Sequence, residues 1–389
     1  MRIGPHAAAR LLNAGNLRGA FVPTLLNREL VESAVNLNAG RLTCRPYSSR
    51  MLKQGQRPLH RKEVFMPLPT DEKALALSRE LLQGFDTING GAHPGFRPAH
   101  AKGIMFAGIF KASPDAALLT RAPHAHGQTP VTVRLSDFAG IPTVADSDPQ
   151  IAGPRGCAIR FQLGEHVHTD IVAHSHDGFP TRTAEEFVEF LHALAASDPS
   201  KPHPNAIEQY LGAHPKALQF VQAPKPIPTS FARESFFAVS AFKFTAADGS
   251  SRFGRYRILP ELDKEYLDAS AAAAKGPNFL FDGIRQRIAK GPIKFHIEVQ
   301  LAEKGDVVDD STVRWPENRS QIRFGDVVLN APVAENDAEQ RRIIFDPIPR
   351  VDGIEASADP LFQPRADLYL LSGRRRRGAD EQRAKAKTF

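Results

Sequence analysis

Two stretches of the 389-residue chain combine residue types that could do chemistry. In FRPAHAKGIMF, His100 stands among Ala99, Ala101 and Gly103, with Arg97 three positions before it. Such small neighbours leave room for something flat and large against the backbone, although a core histidine beside a turn would read the same way. A neutral imidazole there could take a proton and return it. In DPLFQPRADLYLLSGRRRR, Arg365 and Tyr369 are four positions apart, on one face of a helix. A phenol ionises only near pH ~10 and is a poor ligand while neutral. A guanidinium beside its oxygen favours the anion, and a tyrosinate is a competent axial ligand for haem iron. The pair taken alone also reads as an ordinary contact between successive helical turns on a surface.

Fourteen histidines include three His-x-His pairs, His124/His126, His166/His168 and His174/His176. On a strand such pairs share a face and could hold a metal. No carboxylate stands at a fixed offset from them, so surface or core histidines are the simpler reading.

Periodicity supplies the elements that must carry these residues. Residues 71–88 read as a helix with Thr70 as N-cap and Leu75, Leu81, Leu82 and Phe85 as its apolar stripe. In VTVRLS, Val131, Val133 and Leu135 point one way, and Thr132, Arg134 and Ser136 the other. GCAIRFQL and HTDIVAHS alternate similarly, and strand-like runs return at 236–245, 252–258 and 294–302. Thr183-x-x-Glu186 is a capping box that opens a helix through Phe187, Leu191 and Leu194. Helical segments fill 261–290. Near the end, Asp359-Pro360 marks a helix start, Pro364 would strain its first turns, and Gly373 marks its stop. Antiparallel strands with helices in blocks predict an α+β fold, a single domain around a β-barrel or strongly bent sheet with flanking helices.

Composition bounds the function. Apolar residues make up 42% of the chain, which is globular, and no apolar run approaches a membrane span. The net charge of +7 is concentrated in residues 1–65, which hold eleven Lys and Arg against Glu29, Glu32 and Glu63. The remainder is near neutral, which argues against a nucleic-acid partner. Cys44 and Cys157 make no disulfide framework, and a reducing compartment is the easy reading. Residues 1–65 are Arg-rich, Ser-bearing and acid-poor, so they read as a targeting or dispensable extension, with Met66 as an alternative start. The expected organisation is therefore 1–65 extension, 66–378 core domain, and 379–389 charged tail. The expected location is the cytoplasm, or the mitochondrion if the extension is a working transit peptide.

Taken together, RPAHAKG, VRLSDFAG, PRGCAIRF, TDIVAHS and FDPIPRVDGIEASADPLFQPRADLY resemble the haem catalase superfamily, in its order, from about Met66 to Gly378. The short core is most similar to the minimal catalase-related peroxidases. The resemblance implies a catalase-like antiparallel barrel and haem b as cofactor. It makes His100 the distal catalytic histidine, oriented by Ser136, and Tyr369 the iron ligand. Arg97 and Arg134 would face the haem propionates, and Arg365 the tyrosinate. Phe179 and Phe187 are candidates for apolar walls around the haem, with core packing the simpler reading for Phe187. Full catalases carry an asparagine after the Asp-x-Val strand; here the alignment gives Ser175, or His174 if it slips by one. The implied activity is therefore a peroxidase that reduces organic hydroperoxides or hydrogen peroxide with a small organic electron donor. A haem hydroperoxide isomerase acting on fatty-acid hydroperoxides and a non-catalytic haem-binding barrel are the alternatives. A homodimer that exchanges the extension as an arm is compatible with this sequence.

Because the family likeness begins at Met66, deletion of residues 1–65 is expected to leave solubility, haem content and activity unchanged. A truncated protein that is insoluble or free of haem would assign the extension a place against the core.

Overall fold

The computed structural model describes residues 70–386 apart from 199 and 201, with the backbone alone for 380–386. The extension 1–65 and its Cys44 lie outside the described residues. The first helix, Glu72–Ile88 (α1), is capped by Asp71, whose side chain accepts the Lys73 N–H at 2.9 Å. The cap is one residue beyond the expected Thr70, because the stronger carboxylate acceptor takes the first orphan amide.

The strands of the main sheet are Gly103–Ala112 (β1), Gln128–Ser136 (β2), Gly156–Gly164 (β3), Val167–His174 (β4), Phe236–Phe237 (β5), Phe242–Thr245 (β6), Ser251–Pro260 (β7), Ile293–Leu301 (β8), Gln321–Pro332 (β9) and Ile354–Ala356 (β10); Ile227–Pro228 and Tyr266–Leu267 pair in a separate two-stranded sheet. β1 pairs with β2 and β9, β2 with β3, β3 with β4, β4 with β5, and β5 with β7. β8 then joins β7 to β9 and closes an eight-stranded antiparallel barrel. Closure leaves no unpaired edge in the ring. β6 pairs with β7 outside the ring, and β10 pairs with β6.

β1 is absent from the sequence reading because Ile104, Met105 and Phe106 are all buried, at 3%, 2% and 0% exposure, so period-two alternation vanishes there. The expected strand at 236–245 divides into β5 and β6.

Aromatic side chains fill the barrel. Phe110 meets Phe161 edge-on at 5.0 Å and stacks on Phe324 at 5.7 Å. Each such ring contributes roughly 1.5–3 kcal/mol on burial. His124 belongs to this cluster, 4.6 Å from Phe161, and burial lowers its pKa to about 4. It is a core side chain, as the simpler reading of the His-x-His pairs held. His168 lies 3.4 Å from Asp170, and among the described residues no group of three or more His, Cys, Asp or Glu could hold a metal ion.

Helices form a second layer. Pro114–Leu119 (α2), Ala184–Ala195 (α3), Ala206–Ala213 (α4), Pro215–Gln222 (α5), Ala269–Ala273 (α6), Phe279–Lys290 (α7), Asn336–Arg342 (α8) and Phe362–Ala386 (α9) complete the described helices longer than a single 3-10 turn. The Thr183/Glu186 capping box opens α3 with both of its reciprocal bonds. α1, α3 and α9 share an apolar cluster containing Leu81, Phe85, Val188, Leu191, Leu361 and Leu368.

α9 departs from expectation in three ways. Pro364 falls in its first turn, where a missing N–H and a fixed φ are tolerated. Gly373 does not stop the helix. It lets the helix pass Ile344, whose side chain a Cβ would approach to 2.3 Å. The helix also runs past Gly378 to Ala386, with Ala379 buried. No helix among the described residues is long and apolar enough to cross a membrane.

Candidate active site

A cavity with an empty volume of about 1500 Å³, part of it open to solvent, lies between the outer face of β2–β4 and the helical layer. β2 positions its first two polar groups. Val133 and Leu135 enter the barrel core, so Arg134 and Ser136 face the cavity, as the alternation predicts. His100 stands on the turn before β1 in a left-handed conformation, φ 58°, uncommon for a residue with a Cβ.

Three contacts hold His100 there. Its N–H donates to the Phe138 carbonyl at 2.5 Å. Its carbonyl accepts from the Arg134 guanidinium at 2.8 Å. Its Nδ1 lies 3.1 Å from Ser136 Oγ. Phe138 meets the ring edge-on at 5.4 Å. Burial first, then Arg134, lowers the His100 pKa to about 3, so the imidazole is neutral across the physiological range.

The small residues around His100 have a different function from the expected one. Ala99 lines the cavity, but Gly103 makes room for Arg134: a Cβ there would lie 2.2 Å from its guanidinium. Gly156 on β3 is the second required glycine, because a Cβ would lie 2.5 Å from Ser136 Oγ and 2.7 Å from His100 Nδ1. Behind this group, Arg155 pairs with Asp137 and Lys102 with Asp146, all four nearly buried. Burial pushes Asp137 up to about 7 against the pull of Arg155.

α9 supplies the opposite wall. Leu361, Pro364, Arg365, Leu368, Tyr369, Ser372 and Arg376 line the cavity at helical spacing. The Arg365 guanidinium carbon lies over the Tyr369 ring, 5.9 Å from its centroid, rather than beside the phenol oxygen. Phe179 and Phe187 form an aromatic wall 5.0 Å apart.

Arg97, Arg134 and Arg376 converge on one side. Arg97 donates to the Gln340 and Ile343 carbonyls at 2.9 and 3.1 Å. Arg376 donates to the same Ile343 carbonyl at 2.8 Å, and Arg134 to Gln340 Oε1 at 2.9 Å. These acceptors lie at the C-terminal end of α8, where helix carbonyls lack partners. Among the described residues no carboxylate pairs with any of the three. Burial lowers the pKa of Arg97 to about 10 and those of Arg134 and Arg376 well below their ordinary value. Arg376 Nε is buried with no partner.

An apolar slot with unpaired guanidiniums at one side, a phenol on one wall and an imidazole on another fits a haem: the macrocycle suits the slot, its carboxylates the arginines, and its iron the phenol oxygen.

Sequence reasoning missed Arg376, Gln340 and Gly156. Arg376 stands seven residues after Tyr369, two helical turns on, and that spacing is a usable signal. Gln340 and Gly156 had none, since both act through long-range contacts. Ser175 is not a cavity residue. Its Oγ accepts the Arg155 N–H at 2.9 Å, and His174 lines the cavity in its place. The pleat decides this, since His174 is the last residue of β4 on the face that Gly156 occupies opposite it.

A family model described as Catalase matches residues 93–385. The chain is 36% identical over 304 residues to a catalase-related peroxidase of Mycolicibacterium paratuberculosis, covering 77% of this chain and 95% of the relative. It is 31% identical over 294 residues to a catalase-related peroxidase of Synechococcus elongatus, covering 74% of this chain and 86% of the relative. A fungal catalase crystal structure superposes with a TM-score of 0.64 at 24% identity, covering 72% of this chain and 59% of that one. That last likeness is one of fold, and the chain spans under two thirds of the full catalase. The chain belongs to the catalase family.

The buried histidines predict an acid sensitivity of known sign. A histidine whose pKa falls on folding contributes stability above its unfolded value, ~6.5, and loses that contribution as pH falls toward the folded value. His124, held at about 4, is the cleanest case because it lies in the barrel core, away from the cavity. His124→Phe is expected to remove about one proton from the pH dependence of unfolding between pH ~6.5 and ~4. Denaturant titrations across that range with equal slopes for parent and variant would show that His124 is not buried neutral.

Proposed function

We propose that the protein is a haem b peroxidase that reduces an organic hydroperoxide, or hydrogen peroxide, with electrons from a small organic donor. Family membership supports the class of reaction, an oxidoreductase acting on peroxide. The observation that carries the reading is the pairing, in one cavity, of the His100–Ser136 couple with the Arg365–Tyr369 couple beside three guanidiniums that lack carboxylates.

The reaction balances as one hydroperoxide, two protons and two electrons giving one alcohol and one water; two one-electron donor molecules, phenols for example, supply the electrons. Bound haem supplies the redox centre and the site of O–O cleavage. Tyr369 offers the phenol oxygen as its ligand atom. Arg97, Arg134 and Arg376 pair with its carboxylates, which offsets their own burial. Neutral His100 takes the proton from one peroxide oxygen and returns it to the other, so that the leaving oxygen departs as an alcohol or water. Ser136 fixes the ring for that transfer. The low His100 pKa keeps the ring able to accept at every physiological pH.

The deciding experiment is the absorption spectrum of the purified protein, followed by peroxide consumption with and without a chromogenic phenolic donor. Donor oxidation in excess of oxygen release supports the peroxidase. Oxygen release far above donor oxidation overturns it, as does rearranged hydroperoxide formed without donor.

Two substitutions check the roles. His100→Ala is expected to keep haem and slow peroxide reduction by ~10²–10⁴-fold, the usual worth of positioned acid–base assistance; an unchanged rate would remove His100 from proton transfer. Tyr369→Phe is expected to lose haem or hold it weakly, because phenylalanine offers no ligand atom. Full haem occupancy with an unaltered spectrum would contradict that assignment.

A further inference from the structure

Three basic side chains gather beyond the end of β4, at one margin of the cavity. His176 meets Phe220 edge-on at 5.0 Å, and Lys225 Nζ lies over the same ring, 4.7 Å from its centroid. Phe220 lines the cavity. Lys225 also passes Gly153, where an added Cβ would lie 3.6 Å from that of Lys225, and the next residue, Pro154, is a cavity residue. Arg314 and His176 flank Gly178, whose added Cβ would lie 3.9 Å from Arg314 Cγ and 3.7 Å from His176 Nε2. Phe179, the residue that follows, is a cavity wall.

Among the described residues no carboxylate matches these charges. Lys225 donates to the Phe220 and Ala223 carbonyls at 2.7 and 3.2 Å, with Val221 at 3.5 Å. Its ammonium therefore caps the end of α5 and supplies charge rather than a spare N–H. Burial lowers the Lys225 pKa to about 8. Arg314 is exposed, with no hydrogen bond or ion pair among the described residues. Burial first, then Lys225 and Arg314, lowers the His176 pKa to about 4, so that ring is neutral. Carboxylates on neighbouring loops are already taken, Asp177 by Arg257 and Asp309 by Arg182, each at 3.1 Å. Two cations without counter-charges thus border an apolar wall of Phe179, Phe187, Phe220 and Leu361. A molecule that is hydrocarbon along its length and anionic at one end fits both features.

We infer that Arg314 and Lys225 recognise the carboxylate of a long-chain organic hydroperoxide whose hydrocarbon lies along Phe220 and Phe179, which makes fatty-acid hydroperoxides the substrate class. Arg314 supplies the hydrogen bonds and Lys225 the second charge. The inference deepens the peroxidase reading and rests on it for the reaction. The balance is unchanged: one hydroperoxy acid, two protons and two electrons give one hydroxy acid and one water. An anionic donor would meet the same cations, but a small phenol has no need of so long an apolar wall.

The test uses the full-length holoenzyme and two readouts. Calorimetric dissociation constants for decanoate and for decan-1-ol read the site without turnover. The ratio of kcat/KM for linoleic acid hydroperoxide to that for its methyl ester, with one neutral phenolic donor, reads it in the reaction. The parent is expected to favour the anion in both. Arg314→Gln is expected to lower each preference ~5-fold, the upper range for an exposed ion pair, and Lys225→Gln to add to that loss. Arg314→Glu is expected to abolish the preference and Arg314→Lys to keep most of it. Added salt is expected to weaken the parent's preference in the same direction. Equal treatment of acid and ester by the parent overturns the proposal, as does a preference that Arg314→Glu leaves intact, or one seen only when the donor is anionic. A parent that reduces no hydroperoxide, tert-butyl hydroperoxide included, overturns the peroxidase reading, while decanoate binding still decides the site.

Discussion

His100 must turn its ring into a largely apolar cavity while its backbone adopts a left-handed conformation, and the surrounding structure is arranged to enforce that. Such a conformation costs on the order of 1–3 kcal/mol in a residue with a Cβ and persists only where neighbours over-determine it. Two residues of one strand do so. Arg134 takes the His100 carbonyl and Ser136 its ring nitrogen. Gly103 and Gly156 exist as glycines because those two side chains, and the imidazole, occupy the space a Cβ would need. Barrel closure then makes β2 rigid enough to hold both residues in register, since it is paired along both of its edges.

The second constraint is electrostatic. Arg97, Arg134 and Arg376 are held by neutral acceptors, two of the three by the end carbonyls of a short helix. Taking such cations from water without counter-charges is costly. A sequence that places three of them around one cavity is arranged for a ligand that brings the missing negative charge. The Asp137–Arg155 and Lys102–Asp146 pairs behind His100 follow the opposite rule: their charges are matched within the protein and brace the turn that carries the histidine.

A third element ties the far wall to the barrel. Arg160 on β3 clamps Asp170 on β4 through two bonds, at 2.9 and 2.7 Å. Asp170 also accepts the Asp346 N–H at 2.8 Å, and Arg160 reaches the Ile344 carbonyl. Ile344 and Phe345 thereby become cavity residues, and Ile344 packs where Gly373 lets α9 pass. One buried ion pair thus sets the separation between the strand wall and the helix wall, hence the width of the slot.

What the sequence determined about this protein is what short-range periodicity can encode. The alternation in VTVRLS put Arg134 and Ser136 on one face, the four-residue step put Arg365 over Tyr369, and Thr183-x-x-Glu186 opened α3; the motif order carried the family. Only tertiary structure decided the rest, because those features arise between segments distant in the chain. β1 lost its alternation through burial on both faces, and His124 became a barrel-core ring through partners that no local pattern names. Gly373 ceased to be a stop because Ile344, twenty-nine positions earlier, fills the space beside it. The choice between His174 and Ser175 turned on a single step of the pleat. A one-residue shift exchanges the two faces of a strand, and pairing with Gly156 fixed which of the two side chains looks into the cavity.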